Sequence, residues 1–416
     1  MASSVILTPS NQRLSRQPVS WLILSTCTVW FIYRIMISLG ASIASTFQSF
    51  HVIEQNIPLW PPTLPLSTWF YRIFVAPWWR WDTTWYEIII LRGYHPEEGT
   101  VQFHPLFPGL SALFNGILHD PLLSMVLVSS TAGLLMVWAY IALGALDLGT
   151  DNRTSITTLI ILLSFPASYI LFVPYSESLF LLLAILAFYF SRRKKWWASG
   201  VCGALAVLTR QQGLFLVIPI LVDCWEDKGK NLKQTLAAWR EWSSVLLIPL
   251  ALVLWSSYRG LILNDFHPNT SSVHSFIYSV IISPGANVVV PQQSFLWPWQ
   301  SLAIAIQKAI SAPDIDMIVN LTLAALFLLL LVMAWKNLRL SYRLYSLAIV
   351  MVSLSYYTGP IHPYMGLPRH LLLAFPVFIG LVERLQQPWQ RLLYTCVGTT
   401  LIIFLTWLHV LGIWVP

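Results

Sequence analysis

The sequence contains few charged residues, and this excludes most soluble folds. Only 10% of the 416 residues are charged and 56% are hydrophobic, whereas an average globular domain has about 25% charged residues. A soluble protein cannot bury that much apolar surface, so the composition predicts an all-α polytopic membrane protein. The net charge of +7 is therefore informative about membrane topology and does not indicate nucleic-acid binding.

The chain also has few cysteines and lacks the glycine-rich motifs that bind nucleotides. Its four cysteines lie within apolar segments or at their inner ends, at spacings that do not suggest a disulfide or a metal site. There is no P-loop and no G-x-G-x-x-G motif. We therefore predict no cofactor and no metal, and any glycosyl donor should be something other than a sugar nucleotide.

Long apolar segments are abundant instead, and they occur along the whole of a single domain, residues 1–416. Eleven of them are typical of transmembrane helices: 20–46, 121–146, 155–172, 176–190, 197–209, 212–224, 241–262, 316–335, 344–359, 369–383 and 392–413. Two neighbours, 197–209 and 212–224, are short for a bilayer core of about 30 Å and can form one broken unit.

The positive charges predict how these segments are oriented. Alternation along the chain places 16 of the 24 Lys and Arg residues in loops on one side. Positively charged loops stay in the cytoplasm, so residues 1–19 should be cytoplasmic, and the long loops 47–120 and 263–315 should lie outside. All nine histidines fall on or near the outer side. That pattern fits outward-facing chemistry, but it also fits the greater length of the outer loops.

An acidic residue lies among tryptophans in the first outer loop. Three tryptophans and an isoleucine form a stripe with helical spacing, which predicts an amphipathic helix in the membrane interface: Trp78, Trp81, Trp85 and Ile88. Arg80 and Glu87 fall on the opposite face, which should be exposed to water. Asp82 lies at the edge of the stripe, where a carboxylate is costly without a partner or a role. It is either a helix cap or ion-pair partner, or a general base at the lipid–water boundary.

These residues resemble the first luminal loop of the GPI mannosyltransferase II family, also called PIG-V, and its prokaryotic relatives. The resemblance rests on Arg80-Trp81-Asp82-x-x-Trp85-Tyr86, then Gly93-Tyr94, then Phe103-His104-Pro105-Leu106-Phe107-Pro108. Three later stretches follow in the family's order: Pro174-Tyr175-Ser176-Glu177-Ser178-Leu179-Phe180, Ala206-Val207-Leu208-Thr209-Arg210-Gln211-Gln212-Gly213 and Gly366-Leu367-Pro368-Arg369-His370-Leu371. His104 and His370 depart from the family pattern, which more often has an aromatic residue and a tyrosine there.

The resemblance implies a GT-C type glycosyltransferase with about eleven transmembrane helices. Members of the family transfer a sugar, mannose in eukaryotes, from a polyprenyl phosphate to an acceptor on the non-cytoplasmic face. By the resemblance, Asp82 deprotonates the acceptor hydroxyl, which attacks the anomeric carbon with inversion. A eukaryotic protein of this kind would act in GPI-anchor assembly in the endoplasmic reticulum membrane. A prokaryotic one, which the compact loops slightly favour, would lie in the plasma membrane with an acceptor of another kind.

Several further residues are candidates for binding the donor phosphate or the acceptor. Arg369 and Arg210 are expected to stabilise the leaving phosphate, although snorkelling or internal ion pairs also explain them. Glu177 can orient the acceptor, pair with Arg210 or stabilise a helix N-terminus. Asp314 and Asp316 form a carboxylate pair that either binds a metal or caps a span, and we expect capping.

The histidines and aromatic residues of the motifs are the remaining candidates for substrate binding. His104 and His370 can hydrogen-bond to phosphate or sugar, or they have structural roles. Trp81, Trp85 and Tyr86 can stack on a sugar ring or the polyprenyl chain, or they belong to an interfacial aromatic belt.

A polytopic transporter or lipid flippase is the alternative function. Such a protein should place ionisable residues near the middle of the membrane and have paired broken helices in two related halves. The sequence predicts one broken unit, and its charges gather at one face, which favours an enzyme. The predicted partners are thus a lipid-linked sugar donor, a glycolipid or glycan acceptor and the membrane. An inactive protein, or one that needs a partner subunit, remains a further alternative.

Overall fold

The computed structural model describes residues 19–47, 68–148, 152–264 and 294–413, and these are mainly helical. The α-helices are Val19–Ser45, Trp69–Phe74, Asp82–Arg92, Leu106–Leu118, Pro121–Leu148, Asn152–Leu163, Glu177–Arg192, Trp196–Thr209, Val217–Asp227, Leu232–Ala237, Trp239–Trp242, Leu247–Leu261, Pro298–Ser311, Ile315–Ala334, Leu340–Ser355, Leu367–Leu372, Pro376–Arg384 and Pro388–Val410. Two short strands, Ser294–Phe295 and Tyr356–Tyr357, pair antiparallel. Most of the predicted cytoplasmic N-terminus and parts of both predicted outer loops lie outside the described residues: 1–18, 48–67 and 265–293.

Several helical stretches are long and apolar enough to cross a membrane. They are Leu22–Ser45, Pro121–Leu148, Trp239–Leu261, Ile315–Asn337 and Pro388–Val410, with a bent sixth stretch that comprises Thr154–Leu163 and Pro166–Phe172. The chain is therefore an integral membrane protein, and the predicted all-α class is confirmed. The eleven predicted apolar segments coincide with helical segments, but several are short. Length and composition thus support five or six spans among the described residues.

The segment predicted as one span over 155–172 is not a straight helix, which corrects that prediction. Helix Asn152–Leu163 is followed by a 3-10 helix, Pro166–Phe172, at an angle of 92°. Proline lacks the N–H that would continue a helix, and it favours an extended conformation in the residue before it, here Phe165. The bend determines where the following residues, which include Glu177, enter the interior.

Arg34 holds this bent segment in place. From the first membrane-crossing helix, its guanidinium donates through Nη1 to the backbone carbonyl of Phe172 and through Nη2 to that of Phe74, 3.4 Å away. Both partners of Arg34 are backbone carbonyl oxygens. Because carbonyls at a helix end have no partner within the helix, the arginine stabilises the end of the 3-10 helix.

The tryptophan stripe predicted in the first outer loop does not form one continuous helix. Trp78 ends a 3-10 helix and is fully buried, whereas the next α-helix begins at Asp82. The chain changes direction at Trp81, which has a φ of 51°. Helix Leu106–Leu118 of the same loop does expose apolar residues, including Ile117, and this fits an interfacial location.

The face of this loop that was predicted to be wet is buried, so that prediction is wrong. Arg80 and Glu87 are only 7% and 1% exposed. Arg80 donates to the backbone carbonyl of Val410, and Glu87 accepts a hydrogen bond from the indole N–H of Trp79, 2.8 Å away. Burial raises the pKa of Glu87 to about 8, because the charged carboxylate loses its hydration there. Helical spacing separates two faces of a helix, but it does not show which face other segments cover.

The segment predicted as a span over 369–383 is also broken. It consists of the helices Leu367–Leu372 and Pro376–Arg384, which are separated just before a proline. Helices Ile315–Ala334 and Leu340–Ser355 pack against both pieces. The short first helix, which carries Arg369, is therefore held mainly by its neighbours.

Gly398 provides a test of the packing around the first bend. It lies in helix Pro388–Val410, where an added Cβ would be 1.8 Å from the carbonyl oxygen of Ser164. We expect Gly398→Ala to lower the thermal unfolding midpoint of the purified protein, because overpacking typically costs about 1–3 kcal/mol.

The matched control is Gly116→Ala, since nothing lies within 4 Å of a Cβ added at Gly116. This substitution should leave the midpoint unchanged or raise it slightly, because alanine has the higher helix propensity. Equal midpoints for the two variants would contradict the close approach at Gly398.

Candidate active site

Four charged residues from distant parts of the chain lie close together. Each of them lies in the first turn of a helix or at a break between two helices. Asp82 and Glu177 are each the first residue of an α-helix. Arg369 lies in the short helix that begins at Leu367, and Arg210 occupies an extended break between two helical segments. The first turn of a helix has unpaired N–H groups and a positive partial charge, so acidic residues are favourable there.

The four side chains form a network in which acids and arginines alternate. Arg369 Nη1 lies 2.6 Å from Asp82 Oδ2, and Arg369 Nε lies 3.9 Å from Glu177 Oε1. Arg210 Nη1 is 2.7 Å from the same Glu177 oxygen. The Glu177 side chain is 1% exposed and those of Asp82 and Arg369 are 15% and 13% exposed. Two acids balance two arginines, so the network is formally neutral.

Some polar atoms of the network have no hydrogen-bond partner within the described part of the chain. They are Glu177 Oε2, Arg210 Nε and Arg369 Nε. Buried polar atoms are rarely left unpaired, because each one loses its hydrogen bonds to water. The two arginine nitrogens can still donate, so the network can bind an additional anionic or polar group.

Tyr175 connects Asp82 with Arg369, and the sequence analysis missed this role. The backbone N–H of Asp82 donates to the Tyr175 hydroxyl, 3.2 Å away, and the Arg369 guanidinium lies 5.8 Å from the centre of the tyrosine ring. A cation over an aromatic face is attracted to it. The available signal was the position of Tyr175 just before Ser176 and Glu177, but a tyrosine in such an aromatic chain does not stand out.

Tyr86 is linked to Arg210 of the network through the hydroxyl of Ser176. Its hydroxyl donates to Ser176 Oγ at 3.0 Å, and the same oxygen accepts from Arg210 Nη1 at 3.0 Å. The ring is buried and contacts Phe103 and Phe107 edge-on. The structure therefore places Tyr86 inside the protein, where it orients Arg210, and not on an open surface that would stack with a sugar.

Trp81 and Trp85 lie on either side of Asp82 in sequence but have different surroundings. Trp81 donates from its indole N–H to the carbonyl of His409, 3.2 Å away. Its positive φ is unfavourable for a residue other than glycine, and such strain often occurs near functional sites. Because the helix of Asp82 starts at the next residue, the backbone conformation of Trp81 sets the direction in which that helix begins. Trp85 is partly exposed and stacks on Phe103.

The two candidate histidines are hydrogen-bonded to the protein. His104 Nδ1 lies 2.6 Å from the carbonyl oxygen of Val207, and burial lowers the pKa of His104 to about 3. His104 is therefore neutral and cannot contribute a positive charge to phosphate binding. His370 follows Arg369 directly, lies 3.3 Å from Gln212 Nε2 through its Nδ1, and stacks on Tyr356.

The sequence suggested that Asp314 and Asp316 either cap a helix or bind a metal together, but their side chains have separate surroundings. Asp314 is the N-cap residue of its helix but makes no capping hydrogen bond through its side chain. Asp316 turns instead toward Asn320 and His362. Within the described ranges, no group of three or more His, Cys, Asp or Glu side chains could hold a metal ion.

Comparison with known proteins gives only a distant likeness. No protein-family model matches the chain, and no curated protein matches its sequence. A crystal structure of ArnT from Cupriavidus metallidurans bound to undecaprenyl phosphate is 14% identical, with a TM-score of 0.48 over 92% of this chain and 63% of that chain. The apo structure of the same protein is 14% identical, with a TM-score of 0.45 over 89% of this chain and 60% of that chain.

The chain thus spans less than two thirds of the length of ArnT. At this identity and these TM-scores, the likeness is too distant to transfer an activity or a ligand. The resemblance to the GPI mannosyltransferase II family likewise stays a prediction.

Gly366 provides a test of the position of Arg369. Its φ is +73°, and an added Cβ would lie 2.5 Å from Arg369 Nε. We expect Gly366→Ala to displace the guanidinium and to weaken the binding of polyprenyl phosphate, the ligand class that the family resemblance implies, by about tenfold, equivalent to ~1.4 kcal/mol.

Gly93→Ala is the matched control, because Gly93 has a similar φ of +86° and nothing within 4 Å of an added Cβ. Binding to the purified protein should fall only for the Gly366 variant. An equal loss in both variants would assign the effect to backbone strain and not to the contact with Arg369.

Proposed function

We propose that the protein is a membrane glycosyltransferase of the GT-C type that uses a polyprenyl phosphate sugar as its donor. The sugar is mannose, and the acceptor is a glycolipid or glycan on the non-cytoplasmic face. The observation that carries this proposal is the network of Asp82, Arg369, Glu177 and Arg210, which combines a carboxylate with two arginines in one largely buried site.

The network contains the groups that an inverting displacement needs. Asp82 takes the proton of the acceptor hydroxyl, and the acceptor oxygen forms a bond to the anomeric carbon. The bond from that carbon to the phosphate oxygen breaks, and its electron pair leaves with the lipid phosphate. Arg369 and Arg210 stabilise the departing negative charge, as charge-assisted hydrogen bonds do in water-poor sites.

The ion pair between Asp82 and Arg369 gives this mechanism an order of events. At 2.6 Å the carboxylate already accepts from the guanidinium, so a donor phosphate competes with Asp82 for the same cation. When Arg369 turns to the phosphate, an oxygen of Asp82 becomes free to accept a proton from the acceptor. Glu177 keeps Arg210 in place and stays near Arg369 during this exchange.

The other candidates divide into two groups. His370 and Trp85 are proposed to contact the sugar, the phosphate or the polyprenyl chain. The remaining residues form hydrogen bonds with other residues of the protein, and we propose that they hold the network in position: His104, Trp81 and Tyr86.

The distribution of Lys and Arg supports a site on the non-cytoplasmic side. The membrane is then the plasma membrane in a prokaryote or the endoplasmic reticulum membrane in a eukaryote, where the acceptor would belong to GPI-anchor assembly. The undecaprenyl phosphate bound to ArnT is of the proposed ligand class, but the proposal rests on the network of this chain.

A transporter or flippase is the second candidate, and one observation favours it more than the sequence did. Helices are interrupted near Pro166, near Arg210 and near Pro376, whereas the sequence predicted a single pair of broken helices. Broken helices are common in transporters, so their number no longer separates the two functions. Chemical turnover separates them directly.

Asp82→Asn should abolish transfer while the protein stays folded, because an amide cannot take up the proton. Glu177 remains 3.9 Å from Arg369, so the arginine is not left without an acid. The measurement is transfer of radiolabelled mannose from polyprenyl phosphate in membranes, without added nucleotide sugar. Glu97→Gln, at an exposed acid of the same loop, is the control and should transfer normally.

Transfer by the Asp82→Asn variant at the wild-type rate would remove Asp82 as the base. If the wild type transfers no mannose, a panel of other polyprenyl phosphate sugars tests the sugar. Failure with every donor would contradict the enzyme and favour the transporter.

Arg369→Ala should raise the KM for the donor by tenfold or more, since the variant loses the proposed charge-assisted hydrogen bond to the phosphate, and such bonds contribute about 1.5–3 kcal/mol. The control is Arg92→Ala, which removes a solvent-exposed ion pair with Glu98 in the first loop. Steady-state transfer at varied donor concentration measures both. An unchanged donor KM in the Arg369 variant would mean that this arginine does not bind the phosphate.

A further inference from the structure

We propose that Asn320, Asp316 and His362 form a hydrogen-bonded chain that positions Arg369 and thereby sets the affinity for the donor. The inference rests on the proposed function for its link to the donor, and on the geometry alone for its link to Arg369. None of the three residues belongs to the network itself.

The chain starts at the surface and runs inward. His362 is 35% exposed, and its Nδ1 lies 3.1 Å from Asp316 Oδ2. Asp316 accepts a second hydrogen bond, through Oδ1, from Asn320 Nδ2 at 2.6 Å. Asn320 also donates to the backbone carbonyl of Asp316 at 3.0 Å, as expected for residues one helical turn apart.

The inner end of the chain holds the helix that carries Arg369. Asn320 Oδ1 accepts from the backbone N–H of Leu367 at 3.0 Å. Leu367 is the first residue of that helix, and a first N–H has no partner inside its own helix. The next residue, Pro368, has no N–H at all. Asn320 therefore supplies a bond that fixes the start of the helix.

A helix of only six residues depends on such external contacts. Helices much shorter than about 12 residues are marginal on their own, because few internal hydrogen bonds offset the cost of ordering them. Arg369 follows Leu367 by two residues, so a shift of the helix start moves the guanidinium relative to Asp82. The ion pair of 2.6 Å tolerates little of that movement, since catalytic constellations need placement within about 0.5 Å.

The burial of Asn320 supports a role of this side chain in positioning the helix of Arg369. It is fully buried in a mainly apolar membrane-crossing helix, where a polar side chain is costly unless its groups are paired. Its amide nitrogen is paired with Asp316 and its amide oxygen with Leu367. Both ends of the side chain are thus used to join the buried Asp316 to the helix of Arg369.

A double-mutant cycle tests this link without any ligand. Asn320→Leu keeps the branching and the number of heavy atoms of the side chain and removes the bond to Leu367. If Asn320 positions Arg369 against Asp82, then Asn320→Leu and Asp82→Asn act on the same ion pair. The shift in thermal midpoint of the double variant should then be clearly smaller than the sum of the two single shifts. Distant, independent sites are normally additive.

Asn337→Leu is the control, at a more exposed asparagine. Asn337 donates to the backbone carbonyl of Gly380 at 3.1 Å, so it also joins a side-chain amide to the backbone, but in Pro376–Arg384, the second helix of the broken segment. Its effect should add to that of Asp82→Asn. Additive behaviour of Asn320→Leu with Asp82→Asn, or the same non-additivity for both asparagines, would overturn the proposal.

The link to the donor is tested on the same variants with polyprenyl phosphate as the probe. Asn320→Leu should weaken its binding at least fivefold, and Asn337→Leu should not. Asp316→Asn should cause a smaller loss than Asp316→Leu, because the asparagine oxygen still accepts from Asn320. Equal losses in the two Asp316 variants would contradict the chain. If the wild type does not bind the lipid, the proposed function fails, whereas the cycle still decides the positioning role.

Discussion

The pairing of two buried arginines with two acids shapes the centre of the molecule. Arg369 and Arg210 are largely buried, and Asp82 and Glu177 balance their charges at distances of 2.6 and 2.7 Å. A buried charge without a partner costs several kcal/mol, so the four residues stabilise one another. The balance leaves arginine nitrogens that can still donate. These nitrogens are the groups that we propose for binding of the donor phosphate.

The broken helices make this arrangement possible. A regular membrane-crossing helix uses all of its central backbone groups internally, whereas a break exposes groups that bind side chains or ligands. Pro166 bends the chain ahead of Glu177, and the break at Arg210 is tight enough that a Cβ on Gly213 would lie 2.4 Å from the backbone nitrogen of Val207. The last break produces the short helix of Arg369. Each break thus places one member of the network.

The sequence identified the charged members of the site better than their surroundings. Asp82 and Arg369 stand out because charges are rare in this chain and lie next to apolar segments. Burial of Glu87 was not predictable, because helical spacing shows that two faces exist but not which one is covered. Tyr175 and Asn320 were missed since their roles arise from contacts across more than 40 residues of chain. The count of about eleven spans stays a prediction, because several of the predicted segments are short apolar helices that length and composition alone do not assign as membrane-crossing.

An experimental structure of the protein with polyprenyl phosphate tests the central claim most directly, namely that the arginines of this network bind the phosphate of a lipid donor. We predict density for the phosphate group between Arg369 and Arg210, and a distance between Asp82 and Arg369 longer than the present 2.6 Å. A phosphate bound elsewhere, with the ion pair between Asp82 and Arg369 intact, would contradict the account.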